Sequence, residues 1–146
     1  MTSKQRMLVA TDDSNGANRA LETAADLAKR LHAELIIVNV EQGSLDDNLE
    51  SFRFAENATV DEILDQRSGE ILLRAEEKAR SIGVADVRTE SGLGDATGFI
   101  LSVARREAVD FIVVGRRGRG RLAGLLIGSV SQSLVSAAPC KVLVVP

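Results

Sequence analysis

The residues best suited to chemistry lie together in the last quarter of the chain. The apolar run Phe111-Ile112-Val113-Val114 ends at Gly115; Arg116, Arg117 and Gly118 follow, then nine residues, then Gly128-Ser129. Glycine at such points lets the backbone take φ > 0 and lets a ligand approach the main chain closely. A helical pattern carrying Val130, Leu134, Val135 and Ala138 starts after Gly128. The start of a helix offers unpaired N–H groups and the positive end of its dipole. Together these features suit the capture of an anion, and a polyphosphate fits them best. A second reading needs no ligand: Gly115 ends a strand, and Ser129 with Gln132 forms a capping box. Charge favours the ligand. No Asp or Glu follows Asp110, and Arg116, Arg117, Arg119 and Arg121 crowd one loop of a chain whose net charge is −3.

The elements that must position this loop alternate along the chain. Met7-Leu8-Val9-Ala10 reads as a first strand, closed by Thr11-Asp12-Asp13-Ser14, with Ser14 or Asp13 capping a helix. That helix turns Ala17, Ala20, Leu21, Ala24, Ala28 and Leu31 inward, and His32 stands near its end. Leu35 to Val40 is a second, central strand. From Glu41 to about Thr59 the pattern dissolves into a long polar excursion holding Leu45, Leu49, Phe52 and Phe54. A helix from Val60 to Ile82 follows, with Ile63, Leu64, Ile71, Leu72, Ala75 and Ala79 inward; Gly69 weakens its middle by ~1 kcal/mol relative to alanine. Val84 to Glu90 alternates as an exposed edge strand does. Gly92-Leu93-Gly94 leads to a helix with Ile100, Leu101, Val103, Ala104 and Ala108 inward, and Val142 to Val145 makes the last strand.

This alternation predicts one α/β domain over residues 1–146: a doubly wound, five-stranded parallel sheet with helices on both faces. The apolar first, second and fourth strands and the edge-like third suggest the order 3-2-1-4-5. The switch point then lies between strands one and four, where ligands of such sheets bind beyond the carboxyl ends. Asp12 and Gly115 stand at those two ends, so the topology brings them to one crevice.

Other nucleotide motifs fail on the letters. A Walker A loop requires a Gly-Lys pair, and the chain has none. Gly118-x-Gly120-x-x-Ala123 imitates a dinucleotide fingerprint but lies in the fourth β-α turn with no acid after it. Gly92-x-Gly94 has Thr97 where the third glycine belongs.

The segment GRRGRGRLAGLLIGSVSQSLVSAAPCKVLVVP resembles the carboxy-terminal signature of the universal stress protein family. Its ATP-binding members carry G-x-x-G, nine residues, then G-(S/T), and Gly115, Gly118, Gly128 and Ser129 fit this spacing without a gap. The resemblance extends over the whole chain. It implies a Rossmann-like, adenine-nucleotide α-hydrolase-like fold with the same strand order, and ATP as ligand; Mg²⁺, which often accompanies ATP, is expected to bridge its phosphates. It implies that Asp12 contacts the ribose and that the Val40 main chain meets the adenine edge. Gly115, Gly118, Gly128 and Ser129 would hold the phosphates, with Arg116 in the same loop. Val130 and Ser131 would add main-chain N–H or hydroxyl contacts. The chain departs from the family pattern at Asp13, where glycine is frequent, and at Arg117, where a small or polar residue is common.

Composition bounds the rest. The acidic balance argues against a general nucleic-acid binder, and no stretch suits a secretory signal or a membrane span, so the cytoplasm is the expected compartment. One cysteine, Cys140, excludes an internal disulfide, and no Cys/His cluster suggests zinc. It is expected to be a small core residue at the head of the last strand. No catalytic constellation stands out. The reading is therefore an ATP-binding regulatory or stress-response protein; the alternatives are a slow ATPase or phosphotransferase using Asp12 or Asp13, and a nucleotide-free interaction module. The apolar edge from Val142 to Val145, flanked only by Lys141 and Pro146, predicts a two-fold homodimer pairing this strand with its copy. The family resemblance implies such dimers too.

Overall fold

The structure, a computed structural model, describes residues 3–41, 60–116 and 128–146. Its elements are β1 (Arg6–Ala10), α1 (Asn15–Leu31), β2 (Glu34–Glu41), α2 (Val60–Ile82), β3 (Val87–Leu93), α3 (Ala96–Arg106), β4 (Phe111–Gly115), α4 (Ser129–Ala137) and β5 (Lys141–Val145). The five strands form one sheet in the order β3-β2-β1-β4-β5, and every neighbouring pair is parallel. The fold class and strand order expected from the sequence are those observed.

Alternation along the strands divides the core in two. Met7, Val9, Leu35, Ile37, Val87 and Val113 face α1 and α2, against Ala20, Leu21, Ala24, Leu72, Ala75 and Ala79. Leu8, Ile36, Val38, Ile112 and Val114 face the other way, against Ile100, Val103 and Ala104 of α3 and Leu134 of α4. Strands buried on both faces read as unbroken apolar runs, which is why β1, β2 and β4 are legible as central. The alanine stripe of α1 lets that helix lie close to the sheet.

Several local expectations are corrected. Leu31 is 44 % exposed and Val135 56 % exposed: Val135 turns away from the sheet beside fully buried Leu134, and Leu31 stands just before the left-handed His32 that ends α1. Ala108 lies outside α3 with φ 49. The third strand runs three residues later than the alternation suggests, because residues 83–86 are needed to leave α2. Gly83 has φ 122, and the Val84 N–H bonds back to the Ala79 carbonyl at 3.2 Å while the Val84 side chain is buried. Left-handed residues end α1 and α3 as well: His32 is followed by buried Ala33, and Ala108 by buried Val109. Their N–H groups close six-residue returns to Ala28 and Ala104 at 2.9 and 3.1 Å. This is the Schellman ending, with a non-glycine residue at two of the three left-handed positions.

The two sheet edges are treated differently. On β3, Arg88 reaches Glu34 at 2.8 Å and Glu107 at 2.9 Å, and Arg106 pairs with Glu90. On β5, Lys141 lies 5.2 Å from the centre of the Phe111 ring, Val142, Val144 and Val145 are half-buried, and Leu143 is exposed. A charged edge resists pairing with another chain, whereas an apolar one does not. No helix among the described residues is long and apolar enough to cross a membrane. The polar excursion at 42–59 lies outside the described residues.

Candidate functional site

The crevice at the carboxyl ends of β1 and β4 is built around Gly115. A Cβ on this residue would lie 2.8 Å from the carbonyl oxygen of Gly16, in the first turn of α1. Only glycine lets that helix start pack against the end of β4. The Gly115 carbonyl in turn accepts the Ser131 hydroxyl at 2.5 Å, and Ser131 is buried. The two helices that leave β1 and β4 on opposite faces therefore both start against one residue.

The basic loop is pinned at its two ends. Arg116 donates its N–H to the Val145 carbonyl at 2.7 Å, and its own carbonyl accepts the Gly128 N–H at 2.6 Å. Gly128 is the N-cap of α4, with φ −77 and ψ 165, and makes no side-chain capping bond. The expected capping box at Ser129 and Gln132 is thus replaced: Ser129 is the first helical residue, and the Gln132 N–H bonds to the Gly128 carbonyl at 3.0 Å. The main-chain N–H groups of Ser129, Val130 and Ser131 form the first turn, whose donors have no partner within the helix. The Ser131 hydroxyl holds the helix to β4, which leaves its main-chain N–H as the group facing the helix start. Gly118 and Arg117 lie outside the described residues.

Across the crevice, the turn after β1 is held from several sides. The Asp12 carboxylate accepts the Ser14 N–H at 3.0 Å, and Ser14 caps α1 by accepting the Ala17 N–H at 3.2 Å. Asp13 has φ 66, a left-handed conformation that explains why glycine would suit this position. Its N–H reaches the Thr11 hydroxyl at 3.2 Å, and Arg74 of α2 donates to its carboxylate at 2.9 Å. Below the turn, Asn39 donates to the Thr11 carbonyl at 2.8 Å, which ties β2 to β1 where the strand ladder has ended. Its Oδ1 is buried with no hydrogen-bond partner among the described residues, as is the Ser68 hydroxyl of α2.

Val40 presents its main chain to this crevice. In a parallel sheet both polar groups of a residue point to the same neighbouring strand, and the side alternates along the chain. The Val38 carbonyl accepts from Thr11, toward β1, whereas the Glu41 carbonyl accepts from Gly94, toward β3. Val40 therefore points its N–H and its C=O toward β1. The last β1–β2 pair is Ala10 with Val38, so two residues farther on Val40 faces the level of Asp12, beyond the end of β1. A donor and an acceptor sit side by side on the rim of the sheet.

Charge around Asp12 is mixed. Burial pushes the Glu41 carboxyl above its ordinary range; Arg67, 3.7 Å away, pulls it down, and Asp12 pushes it up again. Among the described residues no group of three His, Cys, Asp or Glu side chains is arranged to hold a metal ion. Cys140 is half-buried ahead of β5, and burial raises its thiol pKa. On the face of α1 and α2 a small cleft of about 200 Å³ opens beside the turn, lined by Thr11, Asp13, Asn18, Ile71, Arg74 and Lys78.

The structure thus brings Asp12, Val40, Gly115, Arg116, Gly128, Ser129, Val130 and Ser131 to the carboxyl ends of β1, β2 and β4. Sequence reading missed Asn39 and Arg74, which fix the Thr11–Ser14 turn. Asn39 did leave a signal: it is the polar residue that interrupts Ile36-Ile37-Val38-Asn39-Val40. Arg74 left none, since an arginine on a long helix looks solvated.

Comparison with known proteins gives one answer. The model of the universal stress protein family matches residues 4–146. Universal stress protein YxiE of Bacillus subtilis is 35% identical over 145 residues, covering 96% of this chain and 97% of that protein. Universal stress protein UspA from Lactobacillus plantarum has the same fold, with a TM-score of 0.80 at 23% identity over 99% of this chain and 100% of that one. A universal stress protein solved in complex with cAMP superposes with a TM-score of 0.72 at 25% identity, over 99% and 98% of the two chains.

Proposed function

This chain belongs to the universal stress protein family, and we propose that it is an ATP-binding regulatory member whose output is a change of conformation or assembly. The observation that carries this reading is the rim of β2. Val40 offers an N–H and a C=O to one side, beyond the end of β1, and the edge of adenine offers a ring-nitrogen acceptor beside an amino donor. The two edges are complementary. Asp12 stands at the same level, and a carboxylate accepts hydrogen bonds from ribose hydroxyls. At the far side of the crevice the first turn of α4 supplies N–H donors and a positive dipole end for phosphates. Arg116, whose carbonyl accepts the Gly128 N–H, carries positive charge at the same end of β4.

The solved family member in complex with cAMP supports an adenine nucleotide as the ligand class. Mg²⁺, when present, would bridge phosphates rather than sit in a protein cage; its part would be to neutralise their charge. A second copy of the chain, paired through β5, is the proposed partner.

The test is mass spectrometry of small molecules released from freshly purified, denatured protein, followed by incubation with ATP. ATP or another adenine nucleotide in the released fraction, turned over slowly or not at all, is the expected result. Release of no nucleotide, with no ATP binding by calorimetry, overturns the reading. Turnover at about 1 s⁻¹ or faster would make the protein an enzyme instead.

A further inference from the structure

The rim of β2 has a neighbour that the sequence pattern does not mark. Val40 pairs in register with Gly92 of β3. A Cβ on Gly92 would lie 2.5 Å from two carbons of the Phe99 ring and 2.7 Å from a third. The ring, carried by the first turn of α3, therefore fills the space of the missing side chain. Register partners in a parallel pair point their Cβ atoms to the same face, and neighbouring strands lie about 4.8 Å apart. Phe99 thus lies on the face of the sheet that Val40 points to, one strand spacing away. Ala10, Phe99 and Val130 are all only partly buried against the core of that face. Ala10 ends β1 and Val130 lies in the first turn of α4, so both stand toward the carboxyl end of the sheet on this same face. Phe111, the other aromatic among the described residues, begins β4 at the opposite end.

We propose that Phe99 is a specificity-determining residue of the nucleotide site, its ring and the Gly92 backbone beneath it forming the apolar wall that selects a flat purine base at Val40. This rests on the nucleotide reading above and names the part of the ligand that the chain recognises by shape. An aromatic ring offers a base its polarisable face and excludes water from the hydrogen bonds at the β2 rim. Gly92 is what lets the ring lie low enough to serve both the core and the site.

Calorimetry with ATP and with inorganic tripolyphosphate tests it, on the wild-type chain, Phe99→Leu and Gly92→Ala. Phe99→Leu keeps apolar volume but removes the ring; Gly92→Ala keeps the ring but drives it off its seat. Each variant should lose about tenfold in ATP affinity with tripolyphosphate affinity unchanged. Phe99 ring protons should shift on addition of adenosine and stay still with tripolyphosphate. Unchanged ATP affinity in both variants overturns the proposal while leaving ATP binding intact. Equal losses for both ligands overturn it too, since the ring would then only support the fold. If Phe99→Leu does not fold, Gly92→Ala and the ring-proton shifts decide. Wild-type protein that binds neither ligand removes the nucleotide reading itself, a result distinct from the others.

Discussion

Gly115 carries no side chain because the backbone of Gly16 occupies its place: a Cβ at residue 115 would lie 2.8 Å from the Gly16 carbonyl oxygen and 3.3 Å from the Ala17 nitrogen. The first glycine of the loop motif is thus demanded by packing of α1 against β4, whatever binds there.

Gly115→Ala should therefore destabilise the nucleotide-free protein by about 1–3 kcal/mol, the ordinary range for overpacking. Gly128 differs, since φ −77 and ψ 165 are open to any residue. Gly128→Val should cost at most about 1 kcal/mol, as a poorer N-cap, yet abolish ATP binding by crowding the helix start. Urea denaturation measures the first effect and calorimetry the second. A Gly128→Val variant that binds ATP normally would remove Gly128 from the site.

Asp12→Ala should weaken ATP and leave inorganic tripolyphosphate unaffected, because only ATP has a ribose. The Asp12 carboxylate also accepts the Ser14 N–H, so the variant's melting temperature must be followed alongside. Equal loss for both ligands would show that Asp12 acts on phosphate, metal or the turn.

Glu41 gives a pH signature. Burial raises its folded-state pKa above the unfolded value, so ionised Glu41 subtracts stability above the folded pKa. That penalty disappears as pH falls through the folded pKa to the unfolded one. Glu41→Gln should make the protein more stable than wild type at pH 7, with the difference vanishing near about pH 4. Urea titrations at the two pH values check this. A variant less stable at pH 7 would mean that the Arg67 contact outweighs burial.

The β5 edge predicts assembly. Val142 and Val144 pack against the chain's own core, so charging them would harm folding and association together. Leu143 is 38% exposed and separates the two effects. Wild-type protein should sediment as a dimer at micromolar concentration, and Leu143→Lys should shift it toward monomer with little change in melting temperature. A monomeric wild type would sink the dimer.

Much of this molecule was legible in the letters for a simple physical reason. Strands buried on two faces must be apolar without interruption, and helices lying on a sheet must be apolar every third or fourth residue. Those two periods placed β1, β2, α2 and β4 within a residue or two. Helix ends were less legible. Leu31, Val135 and Ala108 have apolar side chains yet are exposed, Val135 on the outer side beside buried Leu134 and Ala108 in a left-handed turn ahead of buried Val109, and only the assembled layers show this. The third strand slipped because Val84 is apolar for the sake of the turn that ends α2.

At the crevice the division is sharper. The sequence by itself pointed to Asp12 and Gly115 meeting at one switch point, because the order 3-2-1-4-5 sets the carboxyl ends of strands one and four side by side. Only the tertiary structure decided what each residue does there. It made Gly115 a packing residue through Gly16, tied the Ser131 hydroxyl to a carbonyl, turned the Val40 main chain toward β1, and set Phe99 on Gly92. These are contacts between residues distant in sequence, fixed by strand register and helix seating, and no local pattern of side chains encodes them.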